Sequence, residues 1–222
     1  MSTSRPIIFS ILCLILLLNG GCEVAGMIAG KVLPDENVAP KYLGMAGQTI
    51  GVLVWTDRGV QIDYPSLGLD LANSIEKKML AAGKQDELKK STFPVQPASI
   101  VRYQQDHPAF DTKNITDLAP KLGMTRLIYV ELEDFATRAP ASVDLYRGSM
   151  TVTLKIVEVA GDKAKIAYEE DSIKAVYPPK VTEDGTPDGD DVRFYQGTVD
   201  AMSTQIVNRL VTHEEDDEQL PP

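Results

Sequence analysis

Glu131 and Glu133 stand one residue apart in the run Ile128-Tyr129-Val130-Glu131-Leu132-Glu133, with Asp134 next. On a strand, residues two apart share a face about 6.6–6.8 Å from each other. That lies within the roughly 5–9.5 Å between the paired carboxyls of glycoside hydrolases. Such a pair would serve as acid and base on a sugar. Any Glu-x-Glu on a strand passes this test, and nothing apolar nearby signals a raised pKa. The preferred reading is a wet sheet face on which Lys155 is a cross-strand ion partner. Trp55-Thr56-Asp57-Arg58 follows a predicted strand, and open α/β sheets bind ligands at the carboxyl ends of their strands. Asp57 and Arg58 would hold a small ligand or a partner there. The rival reading, preferred, is a loop in which Asp57 caps the turn.

The acidic loop 183–191 places Asp184, Thr186 and Asp188 at the spacing of the first ligands of a calcium loop, with Gly189 in the turn position. Tyr195 then stands where the bidentate Glu of such a loop is needed. Pro187-Asp188-Gly189 is also a common turn sequence, and a flexible loop is the simpler expectation. His107 and His213 are the only histidines, and neither has a second histidine or a cysteine at metal spacing. No nucleophile elbow, phosphate loop or dinucleotide fingerprint occurs. No catalytic residue, metal site or cofactor is assigned.

The remaining reactive residue is Cys22. Arg5 precedes an apolar run over residues 6–18, which Asn19-Gly20-Gly21 connects to the cysteine. The run is about 13 residues, whereas a membrane-spanning helix needs about 20. Gly20 and Gly21 leave an extended backbone free to enter a peptidase cleft, and the thiol of Cys22 can then take a thioether-linked diacylglycerol. Two or three palmitate-type chains hold a protein on a bilayer, at about 0.8 kcal/mol per buried CH₂. The arrangement resembles the bacterial lipoprotein signal, although Asn19 stands where an aliphatic residue is usual; the alternatives are an uncleaved anchor and an ordinary cleaved signal that leaves Cys22 free. By resemblance to lipoprotein sorting rules, Glu23 after the cysteine implies the periplasmic face of the outer membrane. Expected segments are a signal peptide over 1–21, a lipidated Cys22 with a flexible tether over 22–48, part of which, around Tyr42-Leu43, packs on the domain, a domain over 49–211 and an acidic disordered tail over 212–222. The other cysteine, Cys13, lies inside the signal, so the mature chain has no thiol for a disulfide or zinc site. The net charge of −10 falls to −11 once Arg5 is removed, which excludes nucleic acid as a partner and disfavours anionic lipid heads.

The domain must be built from elements that bury one face each. Ile50-Gly51-Val52-Leu53-Val54-Trp55 is apolar on both faces and predicts a central strand. Leu67, Leu71, Ile75 and Met79 form one helical stripe, with Ser66 as its cap and Gly83 as its stop. The charged residues 84–90 read as solvated, Phe93-Pro94-Val95 as a short strand, and Pro97 as the start of a helix with Ile100 and Tyr103 inward. Thr116 caps a short helix that ends at Gly123. Strands over 126–135 and around Met150, Val152, Leu154 and Ile156 follow, then a third over 163–177 after a hairpin turn at Gly161-Asp162. Tyr195, Val199, Met202, Ile206 and Leu210 predict a closing helix over about 193–211. The order β-α-β-α-α-β-β-β-α predicts an α/β sandwich of two or three layers, with a mixed sheet of about five strands.

Leu118-Ala119-Pro120-Lys121-Leu122-Gly123 leading into Arg126-Leu127-Ile128-Tyr129-Val130-Glu131 resembles a group of envelope lipoprotein domains. The group includes the curli-secretion lipoprotein, the lipoprotein activators of penicillin-binding proteins and the N-terminal domain of the Tol-system propeller protein. The overall pattern is also similar to small uncharacterised lipoproteins of planctomycete-type bacteria. The resemblance covers about 49–211 and implies a non-enzymatic accessory domain that binds another envelope protein. Trp55, Asp57, Arg58, Glu131 and Glu133 are its candidate contacts. The alternatives are a cell-wall hydrolase using Glu131, Glu133 or Asp57, and a subunit of an export assembly. Residues 136–148 contain Arg138, Asp144 and Arg147, so no greasy membrane hairpin is expected there. Intact-mass analysis of membrane-extracted protein is expected to show acyl chains on an N-terminal Cys22. Cys22→Ser is expected to move the protein out of the membrane fraction, and an unmodified thiol in a cytosolic protein would refute the assignment.

Overall fold

A computed structural model of the chain describes residues 37–107, 114–140 and 142–214. The expectations for Cys13, Cys22, residues 23–36 and the tail beyond Glu214 lie outside the described residues. In chain order the elements are β1 (Asn37–Val38), β2 (Ile50–Thr56), α1 (Arg58–Asp63), α2 (Leu67–Ala81), α3 (Pro97–Asp106), α4 (Ile115–Leu118), β3 (Arg126–Ala139), β4 (Ser142–Ala160), β5 (Lys163–Tyr177), α5 (Asp191–Asn208) and β6 (His213–Glu214). The main sheet has the order β2-β3-β4-β5, with β2 parallel to β3 and the later pairs antiparallel. β1 and β6 make a separate antiparallel pair. This is the mixed α/β sandwich that the element order predicts, with four strands in the main sheet rather than five. Among the described residues no helix is long and apolar enough to cross a membrane.

The two helical stripes dictate the larger core. Leu67, Leu71, Ile75 and Met79 of α2 and Val199, Met202 and Ile206 of α5 pack with Ile128, Val130 and Leu132 of β3 and Met150, Val152, Leu154 and Ile156 of β4. α5 approaches β4 so closely that a Cβ built on Gly148 falls 1.9 Å from Thr198 Oγ1. The opposite face of the sheet is dry only near the start of β3. There Leu53, Leu127, Tyr129, Val157 and Val159 meet Ile100, Ile115, Ala119 and Met124. Alternation in β3 therefore does not mean one wet face along its whole length: Leu127 and Tyr129 are covered, and the face opens to water from Glu131 on.

Several expectations are corrected. β2 is an edge strand, not a central one; its run is apolar on both faces because α2 lies on one side and α3 with Ile115 and Ala119 on the other. Phe93-Pro94-Val95 is not a strand. Only Thr92 forms a parallel bridge, with Thr49, and Pro94 has no N–H with which to continue a ladder. Ser66 sits at the start of α2 without capping it, its hydroxyl lying 3.3 Å from that of Tyr195. Asn114, not Thr116, caps α4, its side-chain oxygen accepting from Thr116 N at 3.1 Å. Within the solvated-looking residues 84–90, Leu88 is fully in the core. The β3–β4 hairpin extends through most of 136–148.

The Gly161-Asp162 turn joins β4 to β5 as expected. Gly161 has φ +61°, the left-handed backbone that a first-position glycine supplies in a two-residue hairpin.

The domain also begins earlier than residue 49. Residues 37–48 are part of the body: β1 pairs with β6, Lys41 and Tyr42 donate their backbone N–H groups to Arg209 O at 2.8 and 3.2 Å, and Met45 is completely buried. Residues 37–48, expected in the tether, and residues 212–214, expected in the tail, therefore belong to the domain. Met45→Ala is expected to lower unfolding free energy by about 2–5 kcal/mol, as for any buried Met that leaves a cavity, in urea titration. Leu43→Ala, at a 72% exposed neighbour, is expected to change it by less than about 0.5 kcal/mol. Equal, small effects would return this segment to the tether.

Candidate functional site

Strand register decides which of the candidate residues meet. Trp55 is paired with Glu131 across the parallel β2–β3 ladder, so both side chains lie on the same sheet face. Trp55 is half-buried against the smaller core, and beyond it the face turns polar. The β3 ladder slips between Leu132 and Asp134, leaving Glu133 as an extra residue. The bulge keeps Glu133 and Asp134 both exposed and returns Phe135 to the core. Lys155 Nζ sits 3.0 Å from Glu131 and 3.4 Å from Glu169. Thr153 Oγ1 donates to Glu133 Oε1 at 2.6 Å and lies 3.2 Å from Asp171 Oδ1. Glu131 and Glu133 of β3, Thr153 and Lys155 of β4, and Glu169 and Asp171 of β5 thus make one polar strip across three strands. The cross-strand role expected of Lys155 is observed. Burial pulls its ammonium down, but the hydrogen bonds to Glu131 and Glu169 and the attraction of their charges together outweigh it and hold the group above the usual lysine range.

Asp57 and Arg58 are not brought to that strip. Asp57 is the N-cap of α1, accepting from Val60 N at 2.9 Å, as the capping reading requires, and Arg58 is the exposed first residue of that helix. Between α1, α2, α3 and the end of β2 lies a cleft of about 320 Å³, bordered by Val54, Trp55, Gln61, Leu69 and Gln104. Gln61 Nε2 donates to Thr56 O at 2.9 Å across its mouth. Neither Glu131 nor Glu133 borders this cleft or the two others described below.

Part of the acidic loop is engaged locally, while Asp184 and Asp188 are exposed. Asp190 caps α5 by accepting from Arg193 N at 2.9 Å. Thr186 is bridged to Tyr146 by two backbone hydrogen bonds of 2.8 and 2.9 Å. Asp191 accepts from Arg138 Nε at 2.9 Å and Nη2 at 2.6 Å, and from Thr137 Oγ1 at 3.0 Å. Arg138 lies 3.8 Å above the ring centre of Tyr146. This clamp, with Tyr64 and Tyr195, borders a second cleft of about 520 Å³. Burial pushes the Tyr195 phenol up to about 12, and its hydrogen bond to Asp70 adds to the shift. A third cleft, about 700 Å³, lies beside β6 and the end of α2, bordered by Gln85, Glu87 and His213. His107 stacks on Tyr103 with ring centres 4.0 Å apart. Among the described residues no three His, Cys, Asp or Glu side chains are placed to hold a metal ion together.

Sequence reasoning missed a charge cluster built on Glu170. Glu170 of β5 accepts from Arg209 Nη2 at 2.9 Å, from Lys41 Nζ at 3.0 Å and from the Tyr168 hydroxyl. It joins the segment after β1, the sheet and the end of α5. Register, which no sequence pattern shows, sets Glu170 opposite Leu154 and so turns it to the dry face. Burial alone would raise the Glu170 carboxyl, but hydrogen bonds from Arg209, Tyr168 and Lys41 outweigh it and hold the group at about 2.

No family model and no curated protein matches the chain. Among solved structures it is similar to the PelC dodecamer from Paraburkholderia phytofirmans, with 9% identity, 77% of this chain and 94% of that chain covered, and a TM-score of 0.42. It is also similar to the hypothetical protein CT253 of Chlamydia trachomatis, with 15% identity, 73% and 99% coverage, and a TM-score of 0.38.

The folded Glu170 sits at about 2 against an ordinary 4.5. A carboxyl depressed on folding stabilises the protein above its unfolded pKa, and that contribution disappears as pH falls through the folded value. The difference corresponds to on the order of 3 kcal/mol. Glu170→Gln is expected to be destabilised at pH 7, and the gap to the unaltered protein in urea titrations is expected to close between pH 4.5 and 2. A gap independent of pH would contradict the cluster.

Proposed function

We propose that this chain is a lipid-anchored bacterial envelope protein, facing the periplasm from the outer membrane, whose domain binds another envelope protein without catalysing a reaction. The anchor is the acylated Cys22 of the lipoprotein-like signal. The contact surface is the strip of Glu131, Glu133, Lys155, Glu169 and Asp171, with Thr153 buried beneath it and Trp55 at its margin.

One observation carries the reading: the carboxylates best placed for chemistry lie on an open three-stranded surface, and cross-strand neighbours engage them. Lys155 is shared by Glu131 and Glu169, and Thr153 donates to Glu133. A hydrolase needs a carboxyl kept protonated by an apolar pocket, whereas this strip is wet and ion-paired. A mixed-sign surface bordered by a half-buried indole suits a protein partner, since aromatic anchors beside satisfied polar groups dominate protein interfaces. The excess of acid on the strip selects a partner with a basic surface.

A photo-crosslinking residue placed at Glu133 or Trp55 in the acylated chain is expected to give a discrete adduct in native membranes. The same group at the exposed Lys77 of α2, on the helix-covered side, is expected to give none. Adding Glu169→Lys is expected to reduce the Glu133 adduct about tenfold, the size of one lost interfacial ion pair. Indistinguishable patterns from the three positions would refute the assignment.

A further inference from the structure

The net charge of −10 is unevenly placed. β2 and β3 begin, and β4 turns into β5, at one end of the sheet, where Ile50, Arg126, Glu158 and Lys165 are in register. Four other stretches converge there. Gly47 N donates to Lys89 O at 2.9 Å, Thr125 N to Thr49 O at 2.9 Å, Val159 N to Thr125 O at 3.0 Å, and Lys41 N to Arg209 O at 2.8 Å. Lys84, Lys90, Lys121 and Lys163 on these stretches are all exposed, and none has an acidic partner among the described residues.

Part of the acid at this end is spent. Glu158 is 3.0 Å from Lys165 Nζ and 3.6 Å from Arg126 Nη2, and accepts from the Tyr42 hydroxyl at 2.9 Å. Glu170 is closed by Arg209, Lys41 and Tyr168. Glu87 accepts from the Thr212 hydroxyl, and Asp86 is 3.8 Å from Lys89. Asp117, Asp162 and Glu214 remain exposed without a basic partner among the described residues, and Glu87, bonded to a neutral hydroxyl, keeps its charge. An otherwise acidic protein therefore presents surplus cations at one end. Leu43 stands on that end, 72% exposed, held between Tyr42, whose ring is buried, and Gly44, whose carbonyl accepts from Arg126 Nε at 2.8 Å.

From this we infer that this end of the domain is a membrane-facing surface, seated on anionic phospholipid headgroups, with Leu43 reaching the acyl boundary. The inference rests on the lipid-anchored reading. It is also supported by where the chain enters: Asn37 of β1 lies on the same end, fifteen residues after Cys22, and such a stretch spans at most about 50 Å. Lysines near an anionic surface contribute additively and are screened by salt. The acidic remainder of the domain is repelled, so a single orientation is selected. That orientation turns Trp55, at the opposite end of β2, toward the periplasm.

The test is amine labelling of the acylated full chain on vesicles, read lysine by lysine by mass spectrometry. On phosphatidylglycerol-rich vesicles Lys84, Lys90, Lys121 and Lys163 are expected to be protected about fivefold or more, as for lysines drawn to a charged surface. On phosphatidylcholine alone, or at high salt, the protection is expected to vanish. Lys174, further along β5, is expected to label equally throughout. Equal labelling on both lipids, with the protein floating on both, would overturn the surface but leave the anchor. Failure to float with either lipid would overturn the anchored reading and the surface with it.

Lys84→Glu/Lys121→Glu/Lys163→Glu, all at exposed positions, is expected to float normally and lose protection at Lys90; retained protection would count against the proposal. A chain ending at Glu214, freed of the acidic residues 215–218, is expected to show at least the full chain's protection, and less would likewise count against it.

Discussion

Coverage of the sheet's second face, complete at one end and absent at the other, is the constraint from which the remaining features follow. Where α3, Ile115 and Ala119 cover it, Leu127, Tyr129 and Val157 are dry and β2 can be apolar on both sides although it is an edge. Where cover stops, the same strands must satisfy water, and Glu131, Glu133, Lys155 and Glu169 appear. Trp55 stands on the border, its ring partly on the core. The polar strip is thus a by-product of how far the small helical layer reaches, and the bulge at Glu133 widens it by keeping two successive acids wet.

The first face is held by a different balance. Burying the stripes of α2 and α5 drives association at roughly 25 cal/mol per Å² of apolar surface, but apolar burial does not choose the position of a chain end. Directional bonds do that. Glu170 takes charge-assisted hydrogen bonds from Lys41 and Arg209, and Glu158 takes Tyr42 and Lys165, so the segment after β1 and the end of α5 are pinned to the same strand edge. Such bonds are roughly twice as strong as neutral ones. They are also specific in geometry, and therefore decide where the chain enters the domain. The burial of Met45 depends on that entry.

Much of the element list was legible because it rests on periodicity. The stripe Leu67-Leu71-Ile75-Met79, the alternation of β4 and the Gly161-Asp162 turn all appear where they were expected. Lys155 as a partner of the acids and Asp57 as a cap were legible for the same reason, since both follow from spacing along one or two strands. The errors cluster where a residue's neighbour is remote in sequence. Leu88 in a charged stretch and Met45 in an expected tether depend on contacts that no local pattern encodes, whereas the cap of α4 is a local misreading, since Asn114 accepts from Thr116 N two residues on.

The amino-acid sequence alone settles the alternation of helices and strands and their faces, because side-chain direction repeats every 3.6 or 2 residues whatever the tertiary context. It also carries the lipoprotein-like signal, a linear feature needing no fold. Only the tertiary structure decided that β2 is an edge, that Arg138 spends its charge on Asp191, and that Glu170 gathers Lys41, Tyr168 and Arg209. It alone collected, at one end of an acidic chain, lysines without an acidic partner among the described residues. Electrostatic energy depends on distance through space, and residues 41, 170 and 209 are brought within bonding distance only by the folded sheet.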